Sequence, residues 1–173
     1  DCELSRGLGD VYKRQVMGKY LSAVALITIA LLSTSLHFIT LATFGNSIDY
    51  GAVFTGYLGL ILVGSVYASI GMFSSAVTDN QVISFIIGIA IIFVFWLFDK
   101  VLIFMPDFIA GIIKYLSVEY HLSNIYLGVI DTRNIIYFGS IIGFFLFLTT
   151  RLVESRRWLS LIHISEPTRQ FAI

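Results

Sequence analysis

The stretch VISFIIGIAIIFVFWLF, Val82–Phe98, contains no charged residue and decides which solvent this protein folds in. About thirteen of its residues are valine, isoleucine, leucine or phenylalanine. At roughly −0.3 to −0.6 kcal/mol each, these side chains contribute about −4 to −8 kcal/mol to bilayer insertion, before the opposing polar and small positions are counted. Asp99 and Lys100 follow directly, and a charge at mid-bilayer costs about 2.5–3.5 kcal/mol. The stretch is therefore predicted to be a membrane-spanning helix that surfaces at Asp99.

Three further stretches on either side of this helix have the same character. No charged residue lies between Lys19 and Asp49 or between Tyr50 and Thr78, and the final apolar run ends at Arg151. Because a helix needs about 20 apolar residues to cross a bilayer, these stretches predict four spans. The predicted spans are residues 20–44, 53–77, 82–98 and 135–152.

The segment between the third and fourth predicted spans, residues 99–134, is different. It is interrupted by Pro106, Gly111 and Gly128, and its apolar runs are too short to cross a bilayer. We expect short re-entrant or interfacial helices here. The predicted fold class is thus an all-α integral membrane protein with four transmembrane helices and short helices before the last one.

Composition supports a bilayer as the solvent and excludes several functions. Hydrophobic residues make up 57% of the chain and charged residues 13%, whereas soluble domains have about 25% charged residues. The formal net charge is zero, so no nucleic-acid partner is expected. The single cysteine, Cys2, allows no internal disulfide and no thiolate metal cluster. The sequence also lacks the GxxxxGK[ST], HExxH and GxSxG motifs, so we expect no catalytic, cofactor-binding or metal site.

One histidine falls inside a predicted span and leaves two interpretations open. His37 could be a proton relay or the base of an intramembrane enzyme, with Ser33 or Ser35 as nucleophile. Ser33 is one helical turn away, on the same face. No polar group is placed to orient the imidazole, so an interhelical hydrogen bond or an interfacial position is the preferred interpretation.

Small residues concentrate in the second predicted span and recur in the fourth. They allow helix backbones to approach closely in lipid, which predicts helix packing and a central second span. The alternative interpretation is a subunit interface or the wall of a conduit. The glycines predicted to pack are Gly56, Gly59, Gly64, Gly71, Gly139 and Gly143.

The turn between the second and third spans consists of Thr78, Asp79, Asn80 and Gln81. Their polar groups can cap the helix that starts near Val82, and Asp79 suits the positive end of that helix. The arginines after the fourth span place the C-terminus in the cytoplasm by the positive-inside rule. With four spans, both ends and this turn are then expected to be cytoplasmic.

Several strings resemble one family in order along the chain. GYLGLILVGSVYASIGMFSSAVTDNQVISFIIG, Gly56–Gly88, resembles the permease subunits of type-2 ABC transporters, and most closely the gliding-motility-associated permeases of Bacteroidota. GKYLSAV (Gly18–Val24), YHLSNIYLGVIDTRNIIYF (Tyr120–Phe138) and ESRRW (Glu154–Trp158) are also similar. The resemblance covers nearly all of residues 16–158.

This resemblance implies a six-span subunit, two of which assemble with two separate ATPase subunits in the bacterial inner membrane. The chain would then be a C-terminal fragment with the last four spans, and ATP hydrolysis would belong to another chain. The 78–81 turn would be an ATPase-coupling loop. The chain departs from the family at Leu127, where an arginine is usual, and at Asn134, where an acidic residue is usual, so no role is carried over to that outer site.

The two ends of the chain do not resemble this family. DVYKRQ and LSLIHISEPTRQ resemble translated adapter sequence. We therefore expect residues 1–15 and 159–173 to be non-native tails around a permease domain at 16–158. A membrane scaffold of a motility or secretion apparatus, which transports nothing, remains the alternative function.

Overall fold

The computed structural model describes the backbone of residues 2–44, 48–101 and 106–165, and the side chains of 11–44, 48–101, 106, 108, 111 and 113–156. Over these residues the chain forms six α-helices and no strand. The helices are α1 (Cys2–Phe44), α2 (Tyr50–Val77), α3 (Gln81–Val101), α4 (Asp107–Leu116), α5 (Val118–Tyr126) and α6 (Thr132–Ser165). The prediction of an all-α fold is confirmed.

Four of these helices are long and apolar enough to cross a membrane. The candidate spans are Val11–Phe44, Tyr50–Val77, Gln81–Val101 and Thr132–Arg156. The chain is therefore a multi-pass membrane protein, as predicted. Each candidate span contains the corresponding predicted one and extends beyond it at one or both ends.

The longer helices have a physical reason at α3. Lys100 was expected to end the span, but its ammonium lies 3.1 Å from the Asp99 carboxylate and 3.6 Å from that of Glu119. Because the charges are paired at the helix end, the backbone continues to Val101. α1 and α6 also extend into the stretches expected to be tails, and whether those residues are native stays a prediction.

α2 lies at the centre of the bundle and packs against α1, α3, α5 and α6. In its most apolar window 39% of the residues are buried, compared with none in that of α1. The core joins Val66 and Ile70 of α2 to Phe138 and Phe145 of α6. Because lipid is as apolar as these side chains, van der Waals packing holds this core together. The predicted central position of the second span is confirmed.

Contacts between the helices define two ends of the bundle. Phe38 of α1 meets Tyr50 at the start of α2, and the end of α2 lies beside Arg156 near the end of the fourth span. We name the end with the α2–α3 connection the turn end and the end with α4 and α5 the short-helix end. The fourth span finishes, and the first begins, at the turn end.

The segment at 99–134 contains two helices, α4 and α5, of ten and nine residues. Each is only about 15 Å long at 1.5 Å per residue, too short to cross a bilayer core of about 30 Å. Pro106 precedes α4, and Gly128 follows α5 with φ +85°, a left-handed conformation that suits glycine at a helix end. Gly111, expected to interrupt the chain, lies inside α4 instead. The prediction of short helices before the last span is confirmed.

Candidate functional site

The predicted coupling loop forms a capped turn, but the cap is Asn80 and not Asp79. Asn80 Oδ1 accepts hydrogen bonds from the backbone N–H groups of Val82 (3.0 Å) and Ile83 (3.4 Å). The Asn80 N–H in turn donates to Thr78 Oγ1 at 3.2 Å. Asn80 holds the N-cap because it immediately precedes the first helical residue, Gln81. The turn therefore caps α3 as predicted, and Asn80 is the residue that provides the cap.

Asp79 instead pairs with an arginine 77 residues further along the chain. One guanidinium nitrogen of Arg156 pairs with the Asp79 carboxylate, and the other donates to the Val77 carbonyl oxygen at 2.5 Å. Val77 is the last residue of α2, where a carbonyl has no partner within the helix. Arg156 thus caps α2 and holds the turn against α6. We name these contacts the Arg156 clamp.

The Arg156 clamp was not predicted from the sequence, where Arg156 only helped to place the C-terminus on the cytoplasmic side of the membrane. The sequence does contain a signal for the contact, because four spans bring the end of the last span to the same side of the membrane as the 78–81 turn. The Asp79 side chain is 96% exposed, so one face of its carboxylate remains open to a partner.

A second group of polar residues lies at the short-helix end and is buried. His121 Nδ1 lies 2.8 Å from Asn134 Oδ1, and His121 Nε2 lies 3.2 Å from the Tyr115 carbonyl oxygen. The imidazole stacks on the Tyr137 ring with 4.0 Å between centroids. The Tyr137 hydroxyl donates to the Leu116 carbonyl oxygen at 2.6 Å. We name His121, Asn134 and Tyr137 the buried polar cluster; it joins α4 and α5 to α6.

Asn134 has one amide atom without a partner. It is 2% exposed, and its Nδ2 has no hydrogen-bond acceptor among the described residues. With Asn134 Oδ1 facing the imidazole, both ring nitrogens of His121 face oxygen atoms, an arrangement that suits a doubly protonated ring. Rotating the amide by 180° suits a neutral ring and leaves Oδ1 unpaired instead. In either arrangement a buried polar atom of Asn134 lacks a partner.

Beside this cluster lies a cavity of about 440 Å³ between α5 and the start of α6. Its wall includes Tyr115, Tyr120, Asn124, Asp131, Arg133 and Asn134. Asp131 Oδ1 accepts from the Arg133 backbone N–H at 3.0 Å, which caps α6. Among the ion pairs of the described side chains, none involves Asp131 or the Arg133 guanidinium. We name this space the α5–α6 cavity.

A further polar network fixes the end of α3 to α5. Ser117 donates to Asp99 Oδ1 at 3.2 Å and accepts from the Tyr120 N–H, so one hydroxyl caps α5 and binds α3.

Burial, and then the nearby Glu119 carboxylate, raise the pKa of Tyr126 above its usual value. The Tyr126 hydroxyl therefore stays protonated at physiological pH and can donate a hydrogen bond.

The glycines predicted to pack divide into two groups. A Cβ at Gly59 would lie 2.9 Å from Leu122 Cδ1, and one at Gly64 would lie 2.9 Å from Ile27 Cγ2. A Cβ at Gly56 would make ordinary contact with Tyr126 at 3.8 Å. At Gly71, Gly139 and Gly143 a Cβ would meet no described atom within 4 Å. Packing within this chain therefore uses the first three glycines and not the last three, whose helix faces point outward.

The residues considered for an intramembrane enzyme do not come together. The Ser33 hydroxyl donates to the Ile29 carbonyl oxygen at 3.1 Å, and that of Ser35 to the Leu32 carbonyl oxygen at 2.6 Å. His37 is exposed on α1. Both candidate nucleophiles are thus bonded to their own helix. No group of three metal-ligating side chains is found in the part of the chain that the structure describes.

The fold and these contacts define an α-helical, multi-pass membrane protein with a clamped turn at one end and a buried polar cluster at the other. Comparison with protein-family models, with curated proteins and with solved structures found no match in any of the three.

Proposed function

We propose that this chain is a membrane-spanning permease subunit of an ATP-driven ABC exporter. Two such subunits together form the route of the substrate. In this proposal a separate ATPase chain binds the 78–81 turn on the cytoplasmic side of the bacterial inner membrane. Both ends of the chain lie on that same side. The order of the family-like strings supports the class, and the Arg156 clamp is the observation that supports the mechanism.

The clamp would let one small loop move three spans. Asn80 caps α3, Arg156 caps α2, and Arg156 itself belongs to α6. A force on the turn therefore reaches α2, α3 and α6 together. Because α2 contacts the remaining span α1 as well, movement of the turn can shift the whole bundle. Helix shifts of this kind are a common element of switching in proteins.

The α2–α3 pair is close-packed next to the turn, which suits the transmission of force. A Cβ at Gly88 of α3 would lie only 3.0 Å from Ser74 Oγ of α2. The Ser74 hydroxyl is buried and donates to the Gly71 carbonyl oxygen at 2.9 Å. Since little space separates the two helices, they move as a unit with the turn.

The chemistry of ATP hydrolysis belongs to the partner in this proposal. The exposed Asp79 carboxylate is the contact that the chain offers, and it is already oriented by Arg156. A basic group on the partner would complete a charged contact there. A scaffold without transport would need no such orientation of an exposed carboxylate.

The test is ATPase activity of the full chain assembled with its ATPase subunit. Asp79→Ala is expected to lower the ATPase activity that the permease stimulates more than it lowers the yield of folded protein. The matched control is Glu154→Ala, which also removes an exposed, ion-paired carboxylate; Glu154, two residues before Arg156 on α6, pairs with Arg151. Equal losses of activity and yield in Asp79→Ala, or an equal effect of Glu154→Ala, would contradict the proposal.

A further inference from the structure

We propose that the α5–α6 cavity binds the phosphoethanolamine headgroup of a membrane lipid. In this site the phosphate contacts the Arg133 guanidinium and the primary ammonium contacts the Asp131 carboxylate. The proposal needs only that the chain spans a membrane, and it does not rest on the ABC permease assignment.

The cavity lies at one end of the fourth candidate span. This span begins at Thr132, so Asp131 and Arg133 stand where the boundary between bilayer and water is expected. Tyr115 and Tyr120 share the cavity wall, and tyrosine is typical of this boundary. Below them the wall continues with Ile136 and Tyr137 along α6. A headgroup in the cavity would therefore leave its acyl chains beside an apolar helix face.

The charges of the wall match a zwitterion better than a simple anion. Arg133 offers a guanidinium, which suits a phosphate because its planar fork can donate two parallel hydrogen bonds. Asp131 keeps one carboxylate oxygen beyond the one that caps α6. The two side chains are not ion-paired with each other within the described structure. A headgroup with a phosphate and a nearby ammonium gives each of them a partner.

Lys114 adds a second cation beside the wall of the cavity. Its ammonium lies 4.6 Å from the centroid of the Tyr120 ring, which is part of the wall. The cation is held by the face of this ring at the rim of the cavity. It raises the local positive potential without occupying the cavity.

Asn134 supplies an independent observation that points to a polar ligand. This side chain is 2% exposed, lines the cavity and has an amide atom without a partner. Leaving a buried polar atom unpaired is unfavourable, so a polar partner is favoured there. Nδ2 can donate to a phosphate oxygen, and after rotation of the amide Oδ1 can accept from the ammonium. The unpaired atom is closed off from water, so the proposal requires the wall to open slightly when the headgroup binds.

The test measures lipid binding to the full chain in detergent by native mass spectrometry. The probes are phosphatidylethanolamine, phosphatidylcholine and phosphatidylglycerol with the same acyl chains, together with soluble phosphoethanolamine and inorganic phosphate as competitors. Phosphatidylethanolamine is expected to bind about tenfold more tightly than either other lipid, because of the three headgroups only its own can donate from a charged ammonium to Asp131 while its phosphate meets Arg133.

Two variants separate the two contacts. Arg133→Gln is expected to weaken phosphatidylethanolamine binding about tenfold, through loss of the charged phosphate contact. Asp131→Asn keeps an N-cap residue on α6 and should abolish the preference for ethanolamine over glycerol headgroups. Arg151→Gln, at the other end of α6, is the matched control and should change neither affinity.

The alternatives give different results. Equal affinities for the three lipids, or variants that bind like the unchanged chain, would show ordinary annular lipid and overturn the proposal. Competition by inorganic phosphate as effective as that by phosphoethanolamine would show a free-anion site and would also overturn it.

Discussion

The two ends of this bundle satisfy their polar groups in opposite ways. At the turn end the Arg156 clamp is exposed, with an Asp79 side chain that is 96% exposed. At the short-helix end the buried polar cluster is closed off, with His121 only 5% exposed. An exposed ion pair is worth about 0–1 kcal/mol, whereas a buried polar group left unpaired costs about 1–3 kcal/mol. The comparison teaches that the polar contacts of the short-helix end contribute more to stability than those of the turn end.

The largest loss of stability is expected when the imidazole of the buried polar cluster is removed. His121→Ala leaves the Tyr115 carbonyl and the Asn134 amide without their partner. The free energy of unfolding in detergent should fall by about 3 kcal/mol, from about 1–3 kcal/mol for each unpaired group. His37→Ala, at an exposed position of α1, is the control and should change it little. A similar loss in both variants would mean that the cluster does not stabilise the fold.

The next effect concerns the contact between α2 and α5 near the same end. Gly59→Val should lower the free energy of unfolding by about 1–3 kcal/mol, because its side chain would overlap Leu122 and Ile125. Gly71→Ala, on the same helix with open space at its Cβ, should be neutral or stabilise by up to about 1 kcal/mol. Thermal unfolding of the two variants checks this. The account fails if Gly71→Ala is the more damaging change.

A smaller effect is expected from the cap at the turn end. Asn80→Ala removes the acceptor of the Val82 and Ile83 N–H groups and should cost about 1 kcal/mol in unfolding experiments. Asn80→Asp keeps a capping oxygen and should cost much less. If both changes were equally harmful, the role of Asn80 would not be that of a cap.

The smallest effect on stability is expected from the clamp itself. Arg156→Gln should lower the free energy of unfolding by less than about 1 kcal/mol, because the pair with Asp79 is exposed to water. Under the proposed coupling, the same variant should clearly lower the ATPase activity of the assembled complex. Arg151→Gln, which affects only the pair with Glu154, should leave that activity unchanged. A loss of stability as large as that of His121→Ala would remove the contrast between the two ends.

The spans could be predicted from the sequence because long uncharged stretches leave a chain few choices in a bilayer. The direction in which a small residue faces was not predictable in the same way. Gly59 and Gly64 contact neighbouring helices, whereas Gly71 and Gly143 face outward, and composition alone does not separate them. A hydropathy pattern locates a helix in the membrane but does not specify its rotation about its own axis.

The polar sites were predicted less completely because their partners are distant in sequence. The 78–81 turn and its capping of α3 could be predicted, but not that Asn80 provides the cap while Asp79 pairs with Arg156. Asn134 was seen only as a departure from a family pattern, and its bond to His121 became visible only in three dimensions. Arg156 meets Asp79 only because the bundle brings together residues 77 positions apart.

The central claim is that the exposed turn binds an ATPase while the short-helix end does not. The most direct measurement places a photo-crosslinking amino acid at position 79 of the full chain in cells, and at position 127, after α5, as the matched control. The account predicts a covalent adduct at position 79 whose partner, identified by peptide mass spectrometry, carries a GxxxxGK[ST] nucleotide site and hydrolyses ATP, with no such adduct at position 127. Adducts with this ATPase at neither position, or equally at both, would contradict it.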